Sequence, residues 1–144
     1  MPQNDAQDDR HDDARTTLAE VRETIRRFVD ERDWNRFHAP KNLAMALSIE
    51  VAELMEHFQW LSVEESRTVA DDPAKRMAIG EELADVFCYT LALANSLDLD
   101  LTAAFVDKMA KNRAKYPVEA IKGRWGHDDP NQGSAAAQDS PLQD

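Results

Sequence analysis

Glycine and cysteine are scarce in this chain of 144 residues, and basic residues are outnumbered by acidic ones. Four glycines are too few for a loop that cradles phosphates through its backbone, and neither GxxxxGK nor GxGxxG occurs. Cys88 is the single cysteine and sits in an apolar run. A lone thiol builds no disulfide framework and needs no oxidising compartment, so a cytoplasmic location is expected. No apolar run is long enough to cross a membrane, and the polar, acidic N-terminus is the reverse of a secretory leader. Lysine and arginine number 17 against 28 aspartates and glutamates, a formal net charge of -11. That balance argues against binding a nucleic acid polymer, which needs a basic footprint. A small anionic substrate is compatible with it, given a local cation or basic patch.

What remains is helical periodicity. Residues 1–13 are polar, with Asp5, Asp8, Asp9, Asp12 and Asp13 among them, and are expected to be a disordered acidic tail. Residues 126–144 lack apolar periodicity and read as a second tail. Between them, residues 14–125 form one domain with no internal repeat. Four helices fit it. The first covers about 14–33, with Leu18, Val21, Ile25, Phe28 and Val29 on one stripe. The second starts at Pro40, a good first-turn residue, and runs to about 60. The third follows the cap-then-proline pair Asp72-Pro73 and runs to about 97. The fourth starts near Asp100 and stops before Pro117. No segment alternates with period two, so the expected fold is all-α and resembles a four-helix bundle.

The informative residues are acids on apolar stripes. On the second helix, Leu43, Ala46, Leu47 and Leu54 define the inward face; Glu50 lies on it and Glu53 beside it. On the third, Ala78, Val86, Tyr89 and Leu93 flank Glu82 and Asp85. Each pair is spaced i, i+3, so both members project from one face. A lone pair of this kind is ordinarily solvated surface, because glutamate is a good helix former. Two pairs interrupting two apolar stripes are another matter. Crowded carboxylates repel, and a divalent cation between the helices relieves that repulsion. Oxygen-only donors favour magnesium, manganese or calcium over zinc, and magnesium is the usual companion of phosphate oxygens. A carboxylate-bridged di-iron bundle wants two Glu-x-x-His motifs, which are missing here. Glu56, Glu64, Glu65 and Glu81 are expected to face solvent, with Glu56 and Glu81 close enough to the pairs to be candidates. Lys108, Asn112 and Lys115 recur at i, i+4, i+7 and make a basic face in an acidic protein.

At these residues a resemblance emerges. The stretches ERDWNRFHAPKNLAMALSIEVAELMEHFQW (31–60), EELADVFCYTLALA (81–94) and KMAKNRAKYP (108–117) resemble, in order, the MazG-like nucleotide pyrophosphohydrolases, and within them the dCTP pyrophosphatase type. The resemblance covers about 14–117. It implies that the E-x-x-E of Glu50 and Glu53 and the E-x-x-D of Glu82 and Asp85 hold Mg2+, with Mn2+ as a substitute. Ile49 stands where the wider family often has the first of two adjacent glutamates. The resemblance further implies an all-α pyrophosphatase fold and a homotetramer built as a dimer of dimers. The implied reaction converts a deoxynucleoside triphosphate, dCTP or a modified dCTP, to its monophosphate and pyrophosphate.

It also implies that the segment Trp34, Asn35, Arg36, Phe37 and His38, together with Trp60, encloses the base. Tyr89 would bound the sugar, and Lys108 and Asn112 would contact the triphosphate. Each has a plainer alternative: core or interface aromatics for the tryptophans and Tyr89, a loop histidine for His38, a solvated face for the lysines. Water would attack the α-phosphorus, with Glu53 the first choice to orient or deprotonate it. Two other readings are kept open: a non-catalytic helical interaction protein, and a house-cleaning hydrolase for modified or oxidised triphosphates.

Overall fold

The structure, a computed structural model, describes residues 12–123. The tails expected at 1–13 and 126–144 lie outside it, save for Asp12 and Asp13. The Asp12 carboxylate accepts the Ala14 and Arg15 amides, both at 3.0 Å, and opens a turn. All regular elements among the described residues are helical: α1 (Leu18–Asp30), α2 (Pro40–Glu56), α3 (Val63–Thr68), a 3₁₀ turn (Val69–Asp71), α4 (Pro73–Ser96), α5 (Leu101–Lys115) and α6 (Val118–Ile121). No helix among them is long and apolar enough to cross a membrane.

The four expected helices are present, and their ends are set by local chemistry. The first starts at Leu18 rather than 14 because Thr17 and Glu20 form a capping box: each side chain bonds the other's backbone amide. The second stops at Glu56 rather than 60. Its last amides turn back on nearer carbonyls, Phe58 to Met55 at 2.9 Å, which tightens the chain into a turn through Trp60. Asp72 caps α4 and Asp100 caps α5 through their carboxylates. Two short helices were not expected. The α3 helix begins on a second capping box, Ser62 with Glu65, whose S-x-x-E signature is written in the sequence. The α6 helix follows Pro117.

Aspartate stands where glycine is usual at two helix exits. Asp33 (φ 51°) and Asp98 (φ 50°) are left-handed. In both, the next residue's amide reaches five residues back, Trp34 to the Val29 carbonyl at 3.1 Å and Leu99 to Ala94 at 2.9 Å. This is the six-to-one bond of a Schellman exit, and aspartate tolerates the left-handed backbone better than most side chains.

Packing is centred on α2 against α4, with α1 laid along α4. The α2–α4 pair is antiparallel. At one end the Ser96 hydroxyl donates to the His38 carbonyl at 3.2 Å, and at the other Glu50 and Glu53 meet Glu82. Arg22 and Asn95 staple α1 to α4 reciprocally: Arg22 Nε donates to Asn95 Oδ1 at 2.8 Å, and Asn95 Nδ2 donates to the Arg22 carbonyl at 3.1 Å. The core is thin. Val29, Leu43, Leu91, Ala92 and Ala94 are buried, while Ile49, Met55, Leu83, Phe87, Phe105 and Val106 are all exposed. Helix α5 has no packed interface with α1, α2 or α4, and buries no residue.

Candidate functional site

Helices α2 and α4 bring their acid pairs to one place. Carboxylate oxygens of Glu50, Glu53 and Glu82 lie within 4.8 Å of one another. Asp85, one turn beyond Glu82, joins them electrostatically. Burial holds the Glu50 carboxyl above its ordinary pKa, and the negative charges of Glu53, Asp85 and Glu82 push it further the same way. The expectation of inward-facing acids holds for half of the set: Glu50 and Glu82 are half-buried, Glu53 and Asp85 exposed. The exposed pair lies at the edge of the α2–α4 seam because an i, i+3 step rotates around the helix by somewhat less than a full turn. Among the described residues none of the four is in an ion pair. Glu56, Glu64, Glu65 and Glu81 are exposed, as expected. Glu65 is committed to capping α3, and its hydrogen bonds from Ser62 lower its pKa.

Such a cluster is chemically unfinished. Three carboxylates with oxygens within 4.8 Å of one another, and no lysine or arginine among them, suit a hard divalent cation. The same face of α4 continues past the acids. Glu82, Asp85, Tyr89, Ala92 and Ser96 follow a 3-4-3-4 spacing, which is one helical stripe. The Tyr89 hydroxyl shares the field of the cluster. Its pKa is raised, first by burial and then by Glu50, with Cys88 and Asp85 adding to it. Cys88 is raised by burial, Asp85 and Glu50, which keeps the thiol protonated and unreactive.

About 7–11 residues beyond Asp85, or roughly 10–16 Å along the axis at 1.5 Å per residue, the stripe meets a cavity of ≈340 Å³. Ile25 and Asp30 of α1, Asn35 and His38 of the following turn, and Ala92 and Asn95 of α4 are among its walls. The loop from 34 to 38 is held by its own bonds. Phe37 and His38 amides return to the Trp34 carbonyl at 2.8 and 3.2 Å, and Asn35 Nδ2 donates to Asp30 Oδ1 at 2.6 Å. Trp34 meets Phe28 edge-on at 5.7 Å, and its ring lies 6.3 Å from that of His38, tilted by 31°. Arg36 stays by Asp33 and over the exposed Phe37 ring.

The other residues expected around a nucleotide are not gathered by one chain. Trp60 is 87% exposed. It lies at the far end of α2 from Trp34, about 25 Å away by the length of a 17-residue helix. The two tryptophans therefore do not flank a single base within one chain. Lys108 and Asn112 ride on α5, which has no extensive interface with either acid-bearing helix; Lys108 is exposed and Asn112 half-buried. The residues that sequence reasoning missed are Asp30, Asn95 and Ser96 of the cavity. Their only signal was position: Ser96 and Ala92 extend the Glu82–Asp85–Tyr89 stripe, while Asp30 falls on the first helix near its exit.

Comparison with known proteins agrees with the all-helical fold. A profile of the MazG-like family matches residues 45–126. The dCTP pyrophosphatase 1 of Rattus norvegicus is 46% identical over 107 residues, 74% of this chain and 63% of that protein. The dCTP pyrophosphatase 1 of Homo sapiens is 45% identical over 106 residues, 74% of this chain and 62% of that protein. The chain thus spans somewhat less than two thirds of the length of these relatives. A crystal structure of a pyrophosphatase from Archaeoglobus fulgidus superposes with a TM-score of 0.65 at 39% identity, covering 75% of this chain and 96% of that one.

Proposed function

This chain belongs to the MazG-like family, and from that premise we propose that it hydrolyses a deoxynucleoside triphosphate, dCTP or a modified dCTP, to the monophosphate and pyrophosphate. The observation that carries the proposal is the unpaired carboxylate cluster of Glu50, Glu53 and Glu82, with Asp85 in its field, at one end of a stripe whose other end is a cavity. A triphosphate laid along α4 spans from the acids, past Tyr89 at the sugar, to a base in the cavity.

Glu50, Glu53, Glu82 and Asp85 would hold magnesium, or manganese in its place. Bound there, the cation supplies Lewis acidity and neutralises the repulsion between an acidic protein and an anionic substrate. Glu53 is the most exposed of the three clustered glutamates, and so the best placed to accept a hydrogen bond from a water aimed at the α-phosphorus and to take its proton. Tyr89 would close against the sugar face and disfavour a 2′-hydroxyl. Pyrophosphate departs with its charge met by Lys108, while Asn112 orients the phosphate oxygens.

In this reading those last two residues come from another copy of the chain, since α5 has no extensive interface with the acid-bearing helices of its own. A homo-oligomer, a tetramer assembled as a dimer of dimers, also covers the exposed faces of α2, α4 and α5, and lets Trp60 approach a base from a neighbouring copy. No nucleic acid polymer or membrane partner belongs to this reading, which places the enzyme in the cytoplasm.

The test is pyrophosphate release from a panel containing dCTP, 5-substituted dCTP, the other dNTPs and oxidised triphosphates, with and without Mg2+. Magnesium-dependent release, greatest with a cytosine substrate, is expected. Release confined to oxidised triphosphates would move the function to house-cleaning, and none from any would leave an interaction protein.

A further inference from the structure

One wall of the cavity is tied to α4 at both of its ends. That wall is the stretch from Arg22 on α1 to His38 in the exit turn, and it contributes Ile25, Val29, Asp30, Asn35 and His38 to the lining. At its first end Arg22 Nε donates to Asn95 Oδ1, and Asn95 Nδ2 donates back to the Arg22 carbonyl. At its last end the Ser96 hydroxyl donates to the His38 carbonyl. The two anchors are consecutive residues in the last turn of the helix that carries Glu82 and Asp85. The apolar part of this contact is small. Val29 is the single buried residue of α1, and apolar contact is non-directional, so it holds two helices together without choosing their offset. The hydrogen bonds do choose it. The Asn95 amide accepts from the guanidinium and donates to the carbonyl of one and the same residue, and a shift of α1 by one turn would break both bonds at once. No carboxylate is ion-paired with Arg22 among the described residues.

We propose that Asn95 and Ser96 are positioning residues that, with Arg22, pin the cavity wall at a set distance from the acid cluster on the same helix; this rests on the triphosphate hydrolysis proposed above. A nucleotide is then held at two points. Its base meets the pinned wall, its phosphates meet the acids, and α4 is the rod between them. Two-point binding speeds the reaction only while the points keep their spacing, because a wall that drifts no longer aims the α-phosphorus. Neither residue touches the reacting atoms in this arrangement; both act through the wall. The Arg22–Asn95 tie is the stronger pin, being double, half-buried and made to a charged group, whereas the Ser96 hydroxyl is exposed and competes with water.

A substrate held at one point only provides the test. An abasic deoxyribose triphosphate carries the sugar and phosphates without a base, so the wall has nothing to aim. The quantity to follow is kcat/KM for dCTP divided by kcat/KM for the abasic compound, a ratio from which any loss of folded protein cancels. It should fall about tenfold in Asn95→Leu and about two- to threefold in Ser96→Ala. Ser96→Thr keeps the hydroxyl and should restore it. Arg22→Met keeps the carbonyl leg and should fall between the two; it carries the test if circular dichroism shows Asn95→Leu unfolded. A wild-type ratio already near one, or active variants that keep the wild-type ratio, would overturn the assignment and leave the hydrolase reading standing. If the wild-type protein hydrolyses no triphosphate, the hydrolase reading fails, and amide hydrogen exchange then decides the pins alone. Faster exchange over 22–38 in the folded variants, with α2 unchanged, supports them, and wild-type exchange there overturns them.

Discussion

The α2–α4 pair and α5 are all amphipathic helices of one chain, yet only the first pair is packed by it. Leu43 and Leu91 close the seam between α2 and α4 and are essentially inaccessible, whereas α5 leaves Phe105 and Val106 in the open. The contrast extends to charge. The packed pair carries Glu50, Glu53, Glu82 and Asp85, none of them ion-paired among the described residues, and the unpacked helix carries Lys108, Lys111, Arg113 and Lys115. Exposed apolar surface on this scale marks a contact surface rather than a finished exterior. The two regions thus differ in both cover and charge.

If the acidic half is the metal-binding half, Glu50→Gln or Asp85→Asn should reduce hydrolysis by at least about 100-fold, the largest effect expected. Neither variant should unfold. Relieving repulsion in the cluster should leave the melting temperature of metal-free protein unchanged or higher. Steady-state kinetics and a thermal melt without Mg2+ check both parts, and wild-type activity in either variant would remove the cluster from the mechanism.

The basic half is broken next. Lys108→Ala should lower kcat/KM by about 10- to 100-fold, the range of a hydrogen bond to a charged group. Mixing is more informative than the single variant. If α5 acts in trans, co-refolding Lys108→Ala with Glu50→Gln should regenerate intact sites in mixed oligomers, up to about a quarter of wild-type activity for random pairing. Two inactive parents that stay inactive when mixed, with assembly confirmed by native mass spectrometry, would return α5 to its own chain. Trp60→Ala belongs to the same question. A ring 87% exposed in one chain earns a role only against another copy. Its loss should raise KM for dCTP about 5-fold or more, the low end for a stacked base, with kcat retained. An assembled variant with unchanged KM for every base would make Trp60 a packing residue.

The acid cluster also predicts a pH dependence that α5 does not share. Glu50 has a folded pKa raised above its ordinary 4.5, because burial and Glu53, Asp85 and Glu82 disfavour its charge. A raised carboxylate is a penalty on the folded state above that pKa, and the penalty disappears as the group protonates. Metal-free protein should therefore gain stability as pH falls from neutral toward the ordinary carboxylate range. Glu65, whose pKa is lowered, stays ionised in both states over that window and acts only below it. The gain should be absent in Glu50→Gln and reduced by saturating Mg2+. Melting curves between pH 7 and about 5 measure it, and parallel profiles for the two proteins would contradict it.

Much of the packed half was legible in the sequence, and little of the rest. Apolar stripes at 3.6 spacing located α2 and α4 and exposed Glu50 and Glu82 as intruders, because period and burial are local properties. Capping boxes at Thr17–Glu20 and Ser62–Glu65 were equally local, and they correct the helix starts. Relations between elements were not written there. Nothing in the periodicity of α5 says that its own chain leaves it uncovered. The separation of Trp34 from Trp60 follows from the length of α2, and the cavity arises where α1, its exit turn and the last turns of α4 converge. Asp30 and Asn35, five residues apart, read as ordinary polar loop chemistry until that convergence is seen.

The smallest expected effect lies at the joint between the two regions. Asp98 is left-handed, and the Leu99 amide closes back on Ala94, so this turn sets the direction in which α5 leaves α4. A left-handed backbone costs an ordinary side chain about 1–2 kcal/mol, less for aspartate, and glycine returns part of the relief as chain entropy in the unfolded state. Asp98→Gly should thus stabilise the protein by roughly 0.5 kcal/mol, or a couple of degrees in Tm. Asp33→Gly, at the exit of α1, is the matched control: it has the same backbone and the same kind of bond, but no unpacked helix follows it. If the turn alone directs α5, the two variants should gain alike and catalysis should not change. If packing against a second copy holds the joint under strain, Asp98→Gly should gain more than Asp33→Gly, and the excess should vanish at concentrations low enough to dissociate the oligomer. Equal gains at every concentration would show that α5 is aimed by its own turn before any partner arrives.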